Sequence, residues 1–89
     1  TTQGSASSLD ALKVGATIED LDIYDLKTAL TKVDNQDIRL VYENLMKGSR
    51  NHLRSFYSNI LVAGGTYTPQ FITQAEFDAI IDSPMETGK

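Results

Sequence analysis

The one imidazole of the chain, His52, sits in the stretch GSRNHLRSF at residues 48–56, and no cysteine occurs anywhere among the 89 residues. With thiolates excluded, the side chains able to hold a transition metal or move a proton near neutral pH are this histidine and the carboxylates around it. Glu19 is the carboxylate that the spacing brings to it. At about 100° per residue, Ile23, Leu26, Leu30 and Val33 share a sector of about 80° on one predicted helix, and Glu19 projects into the middle of that sector. On the next helix Ile38, Val41, Leu45 and Phe56 form a stripe about 60° wide that includes His52, with Ser49 one turn earlier on the same side and Leu53 and Ile60 widening the apolar surface. If the two helices run antiparallel, Glu19 lies about 15 residues before the turn and His52 about 17 after it, so at ~1.5 Å per residue both stand near 25 Å from the connection. An acid and an imidazole on facing stripes at one height can form a buried hydrogen bond that fixes register, or supply two ligands to a divalent transition metal such as iron. Both roles require the two side chains to point into the seam; a third placement leaves them facing solvent with neither role.

Two ligands per chain fall short of the four that zinc takes, so a metal would need a second chain or further residues. The other clusters read more simply. Asp20, Asp22 and Asp25 lack the glycine-containing loop of a calcium site and complement the positive end of a helix, with Asp20 and Asp25 pointing away from the apolar sector. Arg39, Glu43, Lys47, Arg50 and Arg54 collect on the reverse face of the second helix as a solvated surface, with Arg39/Glu43 and Glu43/Lys47 spaced for ion pairs. Tyr24, Tyr42, Tyr57 and Tyr67 are spread singly, as packing residues with polar tips. GGTYTP follows a helix where a phosphate-binding loop would precede one, and no serine has a base at a spacing that suggests a triad.

The elements that must position Glu19 and His52 are legible from caps and breakers. Ser8 caps a brief helix carrying Leu9, Leu12 and Val14, which Gly15 stops. Thr17-x-x-Asp20 approximates a capping box for a helix over about 18–33. Asp34 or Asn35 caps the next, over about 36–62, and the short connection makes the two antiparallel neighbours. Gly48 lies inside this helix at a cost of ~1 kcal/mol, which suggests close packing against another backbone. Ala63, Gly64 and Gly65 end it, and Pro69 keeps Thr68 extended. Thr73-x-x-Glu76 is a complete capping box for a helix over about 74–81, with Ile72 and Phe77 as its hydrophobic staple; the tail DSPMETGK should fray. The chain is therefore one all-α domain, a core hairpin over about 17–63 with an extension over 64–89.

A net charge of −4 and a pI near 4.7 oppose a nucleic-acid footprint. No apolar run approaches the ~20 residues of a membrane span. At this size a lone domain buries only about 60% of its surface, and a partner is expected on stability grounds.

The segments LDALKVGATIEDLDIYDL, VYENLMKGSRNHLRSF and GGTYTPQFITQAEFDAIIDSPM resemble the second half of a ferritin-like domain, and more narrowly the bacterial and archaeal domain of unknown function 2202. The resemblance covers most of the chain. It implies half of a four-helix bundle in which each helix pair contributes a Glu and a Glu-x-x-His to a di-iron site. Glu19 matches the lone carboxylate and His52 the histidine, while Ser49 stands where the motif has its glutamate. The ligand set is thus incomplete, which disfavours a di-iron oxidase and leaves a bundle with weak transition-metal binding or a metal-free structural or protein-interaction module. The first helix pair of the family is absent, so the resemblance implies completion by a homodimer or by the missing N-terminal half. Leu26, Leu30, Leu45 and Phe56 would then pack across the interface.

Overall fold

Asn35 turns the chain: its side-chain oxygen accepts from the backbone N–H groups of Asp37 and Ile38 at 2.8 and 3.2 Å, which starts the second long helix as the sequence predicts. The computed structural model describes residues 2–86, with side chains from residue 8, and contains α1 (Thr2–Leu30), α2 (Gln36–Val62) and α3 (Gln74–Asp82). No strand occurs among the described residues, and no helix among them is long and apolar enough to cross a membrane.

Two predicted elements are in fact one. α1 runs through Gly15 without a break, and Thr17 donates to the Lys13 carbonyl at 2.8 Å instead of capping a new helix. A glycine inside a helix costs only ~1 kcal/mol, and here it makes room for an aromatic ring. A Cβ on Gly15 would lie 2.5 Å from the ring of Phe56. α1 also ends at Leu30, short of Val33, where Arg39 donates to the carbonyls of Leu30 and Val33 at 3.1 and 3.2 Å. Arg39 thus ties the last carbonyl of the helix to the turn that follows it, in place of pairing with its expected partner Glu43.

α2 closes as predicted. Gly64 takes φ +88°, Gly65 donates to the Ile60 carbonyl at 2.9 Å and Gly64 to that of Leu61 at 3.0 Å, the paired bonds of a Schellman cap. α3 opens on the predicted capping box, with Glu76 N–H to Thr73 Oγ1 at 3.1 Å and Thr73 N–H to Glu76 Oε1 at 2.9 Å. Ile72 and Phe77 are buried in one cluster with Ala16, Ile23, Leu53, Ile60, Tyr67 and Ile80.

That cluster keeps Ile23 of the predicted α1 sector and packs Phe56 of the predicted α2 stripe against it, but departs from the rest of that stripe. Ile38, Val41 and Leu45, expected in the core, are 46%, 55% and 54% exposed, whereas Leu53 and Ile60 are fully buried. On α2 the buried side is rotated by roughly 80° from the predicted stripe, counting about 100° per residue. The cause is the C-terminal segment. Residues 65–86 lie along one broad side of the hairpin and draw the core toward it, leaving the opposite side open. On that open side Val14 and Ile18 of α1 accompany Ile38, Val41 and Leu45 of α2, all exposed. Gly48 lies there too. Among the described residues nothing outside its own helical turn comes within 4 Å of a Cβ built on it, so the close packing expected of it does not occur among them.

Candidate functional site

Glu19 and His52 do meet. Their Oε2 and Nδ1 atoms are 3.3 Å apart, on α1 and α2 at the level that the residue count predicts. The pair does not lie in a dry seam, however: the His52 side chain is 67% exposed and that of Glu19 14%. His52 falls on the open side with Leu45 and Gly48, since the 3- and 4-residue steps from 45 to 48 to 52 keep one face, and the core rotates away from that face. The pair therefore lies at the edge of an open surface. Among the described residues no three of His, Cys, Asp and Glu gather closely enough to hold a metal ion. Within a single chain, two ligands of which one is largely hydrated do not fit a resident iron. A concavity of about 310 Å³ is lined by Asp22, Asp25, Leu26, Leu45 and Ser49. Ser49 is buried.

One polar centre is built on an acid that the periodicity turns away from the apolar sector. Asp20 is fully buried. Its Oδ2 accepts from the Tyr67 hydroxyl at 2.6 Å and the Gln70 N–H at 2.5 Å, and its Oδ1 accepts from the N–H groups of Ile72 at 2.8 Å and Phe71 at 3.2 Å. Three successive backbone donors and a phenol enclose one carboxylate, which is how a turn satisfies a buried charge. Burial first, and the bond to Asp20 second, push the Tyr67 hydroxyl up to about 12. Asp20 thus ties the end of the extended stretch to the middle of α1. A weak signal was available: Ala16, Asp20 and Ile23 follow the 4- and 3-residue spacing of one face, so an acid stands between two apolar positions.

A second polar centre holds the other end of the C-terminal segment. Arg54, expected on a solvated face, is buried and donates to the Ile80 carbonyl and to Asn51 Oδ1, both at 2.8 Å. Arg50 grips the Glu86 carboxylate with Nε and Nη2, each at 2.6 Å, and Arg54 Nη2 adds a contact at 3.0 Å. Up to Glu86, then, the tail is pinned where fraying was expected; residues 87–89 lie outside the described residues. The Arg50 bonds, followed by those of Arg54, hold the Glu86 carboxyl down to about 2. A folded-state pKa below the unfolded one contributes stability that is present above the unfolded value, about 4.3, and is lost as pH falls toward 2. Urea midpoints of the native chain should therefore drop more steeply between pH 4.5 and 2 than those of Glu86→Gln, and parallel curves would show that the clasp contributes nothing.

On the same side of the hairpin, Lys27 of α1 pairs with Glu76 of α3, and Tyr24 meets Phe71 with ring centroids 6.3 Å apart. A groove of about 270 Å³ runs between them, lined also by Thr28, Thr31 and Thr73. No imidazole or unpaired carboxylate enters it.

The family model described as "Uncharacterized protein domain (DUF2202)" matches residues 1–84. Uncharacterized protein MJ0754 of Methanocaldococcus jannaschii is 57% identical over 86 residues, which make up 97% of this chain and 46% of that protein. A solved structure, the crystal structure of hypothetical protein MJ0754 from Methanococcus jannaschii, is similar with a TM-score of 0.86 at 59% identity, over 88% of this chain and 45% of that one. The chain spans about half the length of the relatives it matches.

Proposed function

The chain belongs to the DUF2202 family, and on that premise we propose that it is one helical hairpin of a ferritin-like four-helix bundle whose role is assembly. Its open face docks a second hairpin, which for this chain on its own is that of a second copy. The observation that carries the reading is the asymmetry of the hairpin. One broad side is covered by the chain's own segment 65–86, while the other presents Val14, Ile18, Ile38, Val41 and Leu45 to solvent. Exposed apolar side chains of this size on a face that the chain's own segment does not cover are the material of an interaction site. Gly48 adds to it: a helical glycine that costs ~1 kcal/mol and has no close neighbour outside its own helical turn among the described residues is suited to the near approach of a helix from outside. Light scattering at micromolar concentration should return about twice the 9.8 kDa chain mass. A well-folded monomer would rule out the dimer.

A second reading adds a metal. In a two-fold assembly on this face, Glu19 and His52 of both copies would supply four side chains at one level, a ligand number adequate for a divalent transition metal such as iron. Its support is the 3.3 Å approach of the two groups at the edge of the open face. Elemental analysis of purified protein decides it. Metal bound near one ion per dimer should disappear in His52→Ala, and absence of metal from both proteins leaves the metal-free assembly as the function.

A further inference from the structure

The contacts around Glu86 exceed those of an ion pair. Asn51 Nδ2 donates to the Glu86 carbonyl at 2.9 Å while the Glu86 N–H donates to Asn51 Oδ1 at 2.8 Å, so one side-chain amide reads both main-chain groups of the residue as a neighbouring strand would. Arg50 and Arg54 take both carboxylate oxygens. Every polar atom of Glu86 is thus engaged by three side chains at i, i+1 and i+4 of a single helix. Combined main-chain and side-chain reading of a residue outside regular secondary structure is the logic by which proteins hold peptides, and a planar guanidinium fork selects a carboxylate. The receptor is also fixed in advance: Arg54 is buried and anchored to the Ile80 carbonyl, and its Nη1 orients the Asn51 amide. By contrast, Ser83, Pro84 and Met85, which lead to Glu86, are all exposed. The tail buries little besides Glu86 itself, and its release leaves Phe77 and Ile80 of α3 seated in the core.

We propose that Arg50, Asn51 and Arg54 form a binding site for an acidic residue in extended chain, that Glu86 occupies it in cis, and that an acidic peptide segment of another protein competes for it. The site faces away from the open surface assigned to assembly and is independent of that assignment. Its occupant in trans is a short extended segment carrying glutamate, and the chain's own tail acts as the inhibitor.

The probe is a fluorescein-labelled peptide of residues 83–86, Ser-Pro-Met-Glu, followed by anisotropy against the full chain. The Glu86→Ala chain should bind it at least tenfold more tightly than the native chain, whose own tail competes at the high effective concentration of a tethered group. Affinity for Glu86→Ala should fall at least tenfold when the peptide's glutamate is replaced by glutamine, and equally when Arg50→Ala is added. If Glu86→Ala has lost its helical circular dichroism, the native chain supplies the measurement. Its Asn51 side-chain amide resonances should shift on titration with millimolar glutamate peptide and stay in place with the glutamine peptide. Equal binding by native and Glu86→Ala chains, indifference to the glutamine replacement, or failure of the Asn51 resonances to move would each overturn the proposal.

Discussion

Replacement of Asp20 by alanine should cost about 3 to 4 kcal/mol of folding stability, a large share of the 5–15 kcal/mol that a domain usually has. The carboxylate is fully buried and is the acceptor for three backbone N–H groups and a phenol. Its removal orphans all four donors at once. The Gln70 and Phe71 N–H groups are only partly buried and can recover water, which keeps the cost below the sum of four unsatisfied groups. Ile72 N–H and the Tyr67 hydroxyl lie in buried bonds and carry most of the loss. Asp20→Asn should be intermediate, since one acceptor oxygen survives while an NH2 group is forced against donors. A double-mutant cycle isolates the contact: Tyr67→Phe should cost about 1 to 2 kcal/mol in the native chain and near zero on the Asp20→Ala background. Hydrogen exchange provides a local readout, because the amide of residue 72 should lose protection in Asp20→Ala before the hairpin amides do. A loss below 1 kcal/mol in urea denaturation would mean that the enclosure is an accident of packing.

What the sequence made legible, and what it did not, follows from whether the cause is local. The Asn35 cap, the paired glycines after α2 and the Thr73/Glu76 box are bonds between residues within five positions of one another, and all three were readable from residue type and spacing. So was the level at which Glu19 and His52 meet, because it depends only on rise per residue and an antiparallel turn. The orientation of their face was not. Which side of an amphipathic hairpin becomes the core depends on what lies against it, and that is decided by the C-terminal segment through Asp20 to residues 67–72 and Arg54 to Ile80 and Glu86. These contacts span 26 to 52 residues, beyond the reach of any periodicity. Charge type misled as well. Asp20 and Arg54 look like solvated residues by composition, and each is buried because non-local donors or acceptors surround it. Gly15 is a related case: a glycine reads as a helix stop, yet in α1 it is the space taken by Phe56.

The rotation of the core has its own quantitative consequence. Leu53→Ala should destabilise the chain by about 3 kcal/mol, within the range for deleting a fully buried leucine, because Leu53 is 0% exposed at the centre of the cluster formed by Ala16, Ile23, Ile60 and Phe77. Leu45→Ala, two turns earlier on the same helix, should change the stability of the single chain by less than about 0.5 kcal/mol, because its side chain is 54% exposed. The two substitutions delete the same atoms from the same helix, so helix propensity cancels between them and only burial differs. Protein concentration then separates folding from assembly. If the open face docks a second copy, the cost of Leu45→Ala rises with concentration, since binding to the native state alone stabilises by mass action, while the cost of Leu53→Ala at low concentration stays set by the core. Leu45→Glu should raise the dimer dissociation constant by at least tenfold through burial of an unpaired charge, with the helical content of the monomer unchanged. Equal urea midpoints for Leu53→Ala and the native chain would return the core to the stripe of Ile38, Val41 and Leu45, and would withdraw the open face on which assembly depends.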